Sequence, residues 1–357
     1  MDKIWRRICG ATGGKIGSKL ELATFRSMTT SFSNIAVLGA GAWGTALALA
    51  ARKAGRTVTL WVREEDVLAD IRAGRENRFL PGVAIPRELS VTGELAEAAK
   101  ADALLLVVPA QVLHAFAEAL MPHLTKDQPV VICAKGIEQG SGKLVTEVAA
   151  ECLPDTPLAI LSGPSFARDV ARGLPTAVTI AAKEELAAGL QAALGSATFR
   201  PYASDDMTGV ALGGAAKNVY AIACGVVEGM GLGENARAAL LARSFAELSR
   251  LGENLGARRE TLVGLSGLGD LVLTATSPSS RNFSFGMELG RGKAVSDLRA
   301  PGRPLAEGVA TAPALVARAK RTGVEMPIAE AMADMLCGEL PPGEAMMRLM
   351  SRRFTTE

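Results

Sequence analysis

A glycine-rich turn between two apolar segments constrains this chain more than any other feature of its sequence. The turn, GAGAWG over 39–44, follows the short run NIAVL and leads into the alanine-rich segment TALALAARK. A short, continuous apolar run is typical of a buried parallel strand, and the segment after the turn has helical periodicity. The sequence therefore predicts a strand that passes through a tight glycine turn into a helix, at the start of an α/β domain.

Short apolar runs then alternate with helical patterns as far as about Tyr202. The runs are Ile35–Leu38, Thr57–Val62, Ala103–Val108, Val130–Cys133, Leu158–Leu161 and Ala177–Ala181. This alternation predicts an α/β N-terminal half with a Rossmann-type, doubly wound parallel sheet. Beyond 201–206 no further β-branched runs occur and helix formers dominate. We therefore expect a Rossmann-type domain over 34–204, followed by an all-α C-terminal domain over 205–357.

The first 33 residues differ in composition from the rest of the chain. They are basic and rich in Gly, Ser and Thr, and they contain no apolar stretch of signal-peptide length. Three interpretations stay open for residues 1–33: a disordered extension, an organelle transit peptide, or a start placed upstream of a true start at Met28. The disordered extension is the interpretation that we favour.

Composition argues against several classes of function. A formal net charge of +2 gives no basic footprint for nucleic acid. The five cysteines show no C-x-x-C spacing and have no neighbouring histidine, which argues against a zinc site and against a disulfide framework and therefore favours a reducing compartment. The stretch over 207–227 has the length of a membrane span, but Lys217 and Asn218 at its centre favour a buried helix.

The glycine turn has the G-x-G-x-x-G spacing of a dinucleotide site, with glycines at Gly39, Gly41 and Gly44. The first glycine permits the tight turn, the second lets the pyrophosphate approach the backbone, and the third lets the helix pack on the strand. The free N–H groups of the following helix then face the phosphates. A tight turn without a ligand is the alternative, but the position between strand and helix favours a bound dinucleotide.

The residue after the second strand bears on which nicotinamide cofactor is used. Arg63 follows TVTLWV directly, where a ribose 2′-phosphate would need a cation, and its guanidinium suits a phosphate. We therefore expect NADPH. A shift of one residue would bring Glu64 to the ribose and favour NADH, so the use of both cofactors stays open, as does a solvent-facing arginine.

Two later segments carry side chains suited to catalysis. Lys217 lies alone in an apolar helix, where desolvation and neighbouring cations would lower its pKa towards neutrality and allow it to transfer protons. A snorkelling lysine or an ion pair is the alternative. The loop-rich stretch over 264–286 holds a second polar group, namely Asp270, Ser280, Arg281 and Asn282. Arginine beside short polar side chains suits a phosphate monoester, although an ordinary polar loop would have a similar composition.

Nine short motifs carry a resemblance to a known family. They are GAGAWGTALA, NRFLPG, VVPAQ, AKGIE, LSGPSFA, AAKNVYAIACG, GLGDLVLT, SPSSRNFSFG and AEGVAT. In this combination the chain resembles, from about Asn34 to about Leu340, the bacterial glycerol-3-phosphate dehydrogenases that use NAD(P). The resemblance implies reversible, NAD(P)H-dependent reduction of dihydroxyacetone phosphate to sn-glycerol 3-phosphate, which supplies glycerophospholipid synthesis. It also implies a cytoplasmic homodimer without a metal, a nucleic-acid partner or a transmembrane segment.

The resemblance assigns roles to individual residues as well. Lys217 would donate the proton to the ketone oxygen during reduction. The substrate would be bound by Lys135, Gly163, Ser165, Lys217, Asp270, Ser280, Arg281 and Asn282. The cofactor would be bound by Gly39, Gly41, Ala42, Trp43, Gly44, Arg63, Lys135, Ala167, Arg281, Leu305 and Glu307. Two alternatives remain: a 2-hydroxyacid or ketopantoate-type reductase, which would not need the phosphate group, and a redox-sensing NAD(P)-binding regulator, which would not need a buried lysine.

Overall fold

A single eight-stranded sheet forms the N-terminal half of the chain. The computed structural model describes residues 32–351, so all but the last two residues of the predicted N-terminal extension lie outside the described part. The strands are β1 (Asn34–Leu38), β2 (Thr57–Trp61), β3 (Ser90–Thr92), β4 (Ala103–Leu106), β5 (Val130–Ile132), β6 (Leu158–Ser162), β7 (Thr176–Ala181) and β8 (Phe199–Ser204). Their order in the sheet is β3-β2-β1-β4-β5-β6-β7-β8.

The direction of the last two strands differs from the prediction. All neighbouring strands are parallel except β6 and β7, which pair antiparallel, so β7 and β8 run opposite to the other six. The connection from β6 to β7 contains only a five-residue helix (Ala167–Ala171), which does not carry the chain back to the start of the sheet as a crossover would. The predicted fully parallel sheet is therefore wrong at this edge, whereas the Rossmann-type order around β1 is confirmed.

Helices cover both faces of the sheet and make up almost all of the second half. In the first half they are α1 (Ala42–Lys53), α2 (Glu65–Arg72), α3 (Leu95–Ala98), α4 (Leu113–Leu120), α5 (Val145–Cys152), α6 (Ala167–Ala171) and α7 (Glu184–Leu194). In the second half they are α8 (Met207–Gly229), α9 (Gly233–Asn254), α10 (Arg259–Val263), α11 (Asp270–Ala275), α12 (Arg281–Gly290), α13 (Val295–Leu298), α14 (Glu307–Arg321), α15 (Pro327–Cys337) and α16 (Pro342–Met350). The predicted helical second half is confirmed.

Helix α8 is the central element of the second half. Every residue over 209–227 is buried, and the hydrophobic core continues from one face of the sheet onto this helix. Among the described residues, α8 is also the one helix long and apolar enough to span a membrane, and its apolar central part is wholly buried inside the protein. The prediction of a buried helix is confirmed.

Helix α12 crosses α8 at backbone distance because glycines face each other at the crossing. A Cβ on Gly286 of α12 would overlap the carbonyl oxygen of Ile222, and a Cβ on Gly225 of α8 would overlap the carbonyl oxygen of Phe283. Larger residues at these positions would push the helices apart. This close crossing brings the first turn of α12 next to the middle of α8.

Candidate active site

The glycine turn has the geometry that its spacing predicts. Gly39 has a φ of +123°, which favours glycine, and a Cβ there would overlap the carbonyl oxygen of Val107. A Cβ on Gly44 would overlap the carbonyl oxygen of Gly39, so this glycine lets α1 pack against the turn. At Gly41, by contrast, a Cβ would meet no atom within 4 Å, which leaves the backbone open to a ligand.

The start of α1 offers hydrogen-bond donors without partners. Gly41 occupies the N-cap position, where no side chain caps the helix. Within the described residues, the indole Nε1 of Trp43 is buried without a hydrogen-bond acceptor. Unpaired donors at a helix N-terminus bind anions, so the residues here fit the pyrophosphate of a dinucleotide cofactor.

The ends of four parallel strands bring further predicted residues to the same edge of the sheet. β1, β2, β5 and β6 run in the same direction, and they lead into Gly39, Arg63, Lys135 and Gly163 respectively. The Arg63 side chain is 72% exposed and forms an ion pair with Glu64 at 2.6 Å. Both side chains thus lie just after the end of β2, at the same edge of the sheet as the glycine turn.

A buried carboxylate lies between two lysines at the centre of the site. Lys217 Nζ donates to Asp270 Oδ1 at 2.9 Å, and Lys135 Nζ donates to Asp270 Oδ2 at 2.6 Å. Lys135 also donates to the carbonyl oxygen of Gly163 at 3.1 Å. Asp270 is only 1% exposed, so its charge is compensated by the two ammonium groups rather than by water. One carboxylate thus fixes both cations that the sequence analysis singled out.

Asp270 reaches α8 through a wide turn of the backbone. Residues 265–269 form one turn of π-helix directly before α11, and such turns occur frequently at functional sites. A Cβ on Gly213 of α8 would lie 2.6 Å from the carbonyl oxygen of Ser266, and a Cβ on Gly267 would overlap the carbonyl oxygen of Leu262. Glycines on both sides therefore allow the contact that places Asp270 beside Lys217.

The charges around Lys217 change its pKa. Burial lowers the pKa of the Lys217 ammonium to about 8; Asp270 opposes this shift, and the charges of Lys135 and Arg281 add to it. Burial alone would raise the pKa of the Asp270 carboxyl, but Lys135 and Lys217 hold this pKa below its usual range. Lys217 thus titrates near physiological pH, where a group is most effective in proton transfer.

The first turn of α12 lies beside the middle of α8, next to Lys217. Arg281 is exposed, and its charge acts on the pKa of Lys217 and of Glu307, which places its guanidinium near both groups. Ser280 Oγ caps α12 by accepting from the N–H of Phe283 at 3.2 Å. The buried Asn282 amide donates to Asn218 Oδ1 at 2.9 Å, and its oxygen accepts from the N–H of Gly308 at 3.0 Å. Asn282 thereby holds α8, α12 and α14 together, whereas Ser280 stabilises the start of α12.

The remaining predicted residues lie around this centre. Glu307 is the first residue of α14. Its Oε2 would lie 4.0 Å from a Cβ added to Gly136, the residue that follows Lys135. Burial raises the pKa of Glu307 to about 7, and the Arg281 charge opposes this shift. Three further residues complete the predicted set: Ser165, whose Oγ donates to the Gly163 carbonyl at 2.9 Å, Ala167 at the start of α6, and Leu305, 51% exposed before α14.

Two residues of the site were missed by the sequence analysis. Thr274 Oγ1 accepts from Lys217 Nζ at 2.9 Å and donates to Asp270 Oδ1 at 3.2 Å. Thr274 follows Asp270 by four positions, a spacing that places both side chains on one face of a helix and could have revealed it. Asn218, next to Lys217, was used only as evidence against a membrane span, although its side chain bonds Asn282 at the site.

Comparisons with known proteins agree with this geometry. Residues 34–188 match the family described as the NAD-dependent glycerol-3-phosphate dehydrogenase N-terminus, and residues 206–347 match the corresponding C-terminus. The chain is 54% identical over 332 residues to a glycerol-3-phosphate dehydrogenase of Parvibaculum lavamentivorans, an alignment that covers 92% of this chain and 100% of that protein. It is 56% identical over 329 residues to the enzyme of the same name from Afipia carboxidovorans, with 92% and 99% covered.

A solved structure has the same architecture over nearly the whole chain. The crystal structure of glycerol-3-phosphate dehydrogenase from Coxiella burnetii matches with a TM-score of 0.86 and 38% sequence identity, covering 90% of this chain and 99% of that chain. The two family matches together span both the sheet and the helical half. The chain therefore belongs to the family of NAD-dependent glycerol-3-phosphate dehydrogenases.

Proposed function

We propose that this enzyme uses NADPH or NADH to reduce dihydroxyacetone phosphate reversibly to sn-glycerol 3-phosphate. The observation that carries the proposal is the arrangement of Lys217, Asp270 and Lys135 beside the first turn of α12. In this proposal Lys217 is the proton donor, Lys135 is a second cation, and Arg281 contributes a guanidinium. We assign cofactor binding mainly to residues 34–204 and substrate binding mainly to residues 205–357.

Lys217 supplies the proton in this mechanism. A bound reduced nicotinamide supplies the hydride to the carbonyl carbon of the substrate. Negative charge then develops on the carbonyl oxygen, and the Lys217 ammonium stabilises that charge and donates its proton. Lys135 contributes the second positive charge, and Asp270 keeps both ammonium groups in place. In the reverse direction, neutral Lys217 accepts the proton of the hydroxyl group.

Arg281 binds the substrate phosphate in this proposal. Its guanidinium forms no ion pair in the described part of the chain, although its charge acts on the pKa of Glu307, and Arg281 starts a ten-residue helix whose N-terminus favours an anion. Ser280 and Asn282 flank it with a hydroxyl and an amide. Binding of the remote phosphate holds the ketone close to Lys217 and lowers the entropic cost of reaching the transition state.

The proposal for the cofactor rests on the glycine turn and on the end of β2. Gly39, Gly41, Ala42, Trp43 and Gly44 line the pyrophosphate site, and the Arg63 guanidinium favours NADPH through the 2′-phosphate. Three residues complete the cofactor set by resemblance, namely Ala167, Leu305 and Glu307. In the alternative that the sequence leaves open, Glu64, which accepts a hydrogen bond from Arg63, would instead accept one from the 2′-hydroxyl of NADH.

A substrate panel tests the proposed activity. We expect NADPH and NADH oxidation with dihydroxyacetone phosphate, and little with unphosphorylated dihydroxyacetone or with ketopantoate. Arg281→Ala should lower kcat/KM for dihydroxyacetone phosphate by about 100-fold, the loss expected for one charge-assisted phosphate contact. The same change should alter the slow reaction with dihydroxyacetone much less. Preference for ketopantoate, or cofactor binding without turnover of any ketone, would contradict the proposal.

Two further features follow from the resemblance. We infer a homodimer. Size-exclusion chromatography with light scattering tests this directly by measuring the molar mass of the protein. We also infer a cytoplasmic location, which fractionation of the source cells tests. The four cysteines of the described part are unpaired, and this supports a reducing compartment.

A further inference from the structure

Asn77 is a buried amide in the segment that connects α2 to β3. It is 0% exposed, although it lies outside every helix and strand. Its Nδ2 donates to the carbonyl oxygen of Ala40 at 2.8 Å and to Thr45 Oγ1 at 2.8 Å. Its Oδ1 accepts from the N–H of Phe79 at 2.9 Å. Every polar atom of this side chain is therefore used; one bond leads to Ala40 in the glycine turn and another to Thr45, the residue directly after it.

The bond to Ala40 fixes the direction of the next N–H group. No cis peptide bond occurs among the described residues, so the carbonyl of Ala40 and the N–H of Gly41 point in opposite directions from one planar unit. Asn77 and the hydroxyl of Thr45, at 3.3 Å, hold the carbonyl on one side. The N–H of Gly41 consequently points to the other side, and no group in the described residues accepts from it.

The turn needs such an anchor because glycines flank the peptide. Gly39 and Gly41 allow many backbone conformations, and a Cβ-sized space lies open at Gly41. Without an external anchor, the peptide between Ala40 and Gly41 could rotate and present its carbonyl oxygen to the ligand. A carbonyl facing a pyrophosphate would repel it, whereas an N–H group donates to it.

We propose that Asn77 is a positioning residue for the dinucleotide site. It holds the Ala40–Gly41 peptide with its N–H group towards the cofactor pyrophosphate, and thereby sets the affinity for NADPH and NADH alike. The ligand's identity in this inference rests on the proposed function. The residue acts through the backbone and touches neither the nicotinamide nor the substrate, so its removal should change cofactor affinity and leave proton transfer by Lys217 in place.

Equilibrium binding to the full chain tests the inference without turnover. Asn77→Ala and Asn77→Asp are compared with the unaltered protein, with NADH binding followed by nicotinamide fluorescence and ADP-ribose binding by displacement. We expect Kd for both ligands to rise about tenfold in Asn77→Ala, because a preorganised donor to an anion is lost. Asn77→Asp should lose more, since a carboxylate cannot donate to Ala40. In kinetics, KM for the cofactor should rise while kcat and KM for dihydroxyacetone phosphate stay within about twofold.

Gln128 provides a matched control for lost stability. Like Asn77 it is a buried amide that anchors a loop, and its Nε2 donates to the carbonyl oxygen of Ala99 at 2.7 Å. It precedes β5 and therefore lies at the opposite edge of the sheet from the glycine turn. Gln128→Ala should lower the melting temperature about as much as Asn77→Ala, but it should leave Kd for NADH unchanged.

The outcomes separate the inference from the proposed function. An unchanged Kd in a folded Asn77 variant would overturn the inference, and so would an equal loss of affinity in Gln128→Ala. If Asn77→Ala does not fold, Asn77→Asp, which keeps the side-chain volume, decides the question. If the unaltered protein binds NADH but does not reduce dihydroxyacetone phosphate, the proposed function fails, while the binding comparison still tests Asn77.

Discussion

The Asp270 carboxylate controls the pH at which Lys217 loses its proton. It lies 2.9 Å from Lys217 and 2.6 Å from Lys135, inside the protein. Asp270→Asn removes the charge and keeps the shape of the side chain. The Lys217 ammonium then faces Lys135 without compensation, and the loss of an opposite charge at this distance lowers a lysine pKa by about 1 to 3 units.

The sign of the effect on the rate follows from the role of Lys217. Reduction requires the protonated amine, so in the unaltered enzyme the rate falls as pH rises through the Lys217 pKa of about 8. In Asp270→Asn this fall should move to lower pH. If the pKa drops by 2 units, about 1% of Lys217 is protonated at pH 8 instead of about half, and kcat there falls about 50-fold. The oxidation of glycerol 3-phosphate needs neutral Lys217, so its pH profile should shift in the same direction.

The assay is a pH series of kcat for reduction at saturating dihydroxyacetone phosphate and cofactor. Thr274→Val is the matched control, because it removes a hydrogen bond from Lys217 but no charge. Its profile should still fall near pH 8. If Asp270→Asn also keeps a fall near pH 8, Lys217 is not the group whose titration controls reduction, and the electrostatic reasoning is refuted.

Four further changes test other parts of the molecule. Lys217→Ala should lower kcat for reduction by about 10²- to 10⁴-fold while the Kd for NADH, measured by fluorescence, stays within twofold; retained turnover would contradict its role as proton donor. Arg63→Asp should raise KM for NADPH far more than KM for NADH, and equal losses would show that Arg63 does not contact the 2′-phosphate. The methyl group of Gly41→Ala would contact no neighbouring atom, so the melting temperature should stay unchanged. The same methyl group should weaken cofactor binding at least tenfold, because it fills the space next to the backbone. Gly286→Ala should instead lower the free energy of unfolding by about 1–3 kcal/mol, because the added methyl group overlaps the carbonyl oxygen of Ile222. An unchanged melting temperature would contradict the close helix crossing.

Local sequence patterns predicted most strands of the sheet but not their directions. All six apolar runs contain a strand, because continuous apolar residues mark strands that are buried on both faces. β3 has only three residues and β8 carries Arg200 and Pro201 in its middle, so neither shows the pattern. The antiparallel pairing of β6 with β7 depends on how the connecting segment folds, and periodicity within a strand contains no such information.

The site was predictable residue by residue but not as a network. Sequence alone indicated that Lys217 is perturbed, and the G-x-G-x-x-G spacing predicted the shape of the glycine turn. The carboxylate that joins the two lysines lies 53 positions from Lys217 and 135 positions from Lys135, so no local pattern relates them. Asn77 illustrates the same limit, since its bond to Ala40 spans 37 positions and joins two segments with no shared periodicity.

The glycine and alanine content of α8 is explained by the assembly of the site. The composition that suggests a membrane span leaves this helix with a surface of small residues. At Gly213 that surface admits the π-turn that carries Asp270, and at Gly225 it admits α12, whose first residue is Arg281. A helix with larger apolar side chains would be equally hydrophobic but would hold both elements several ångströms away. The small residues of α8 are therefore a requirement for placing Asp270 and Arg281 next to Lys217, and the buried lysine and the apolar helix around it are two consequences of one packing arrangement.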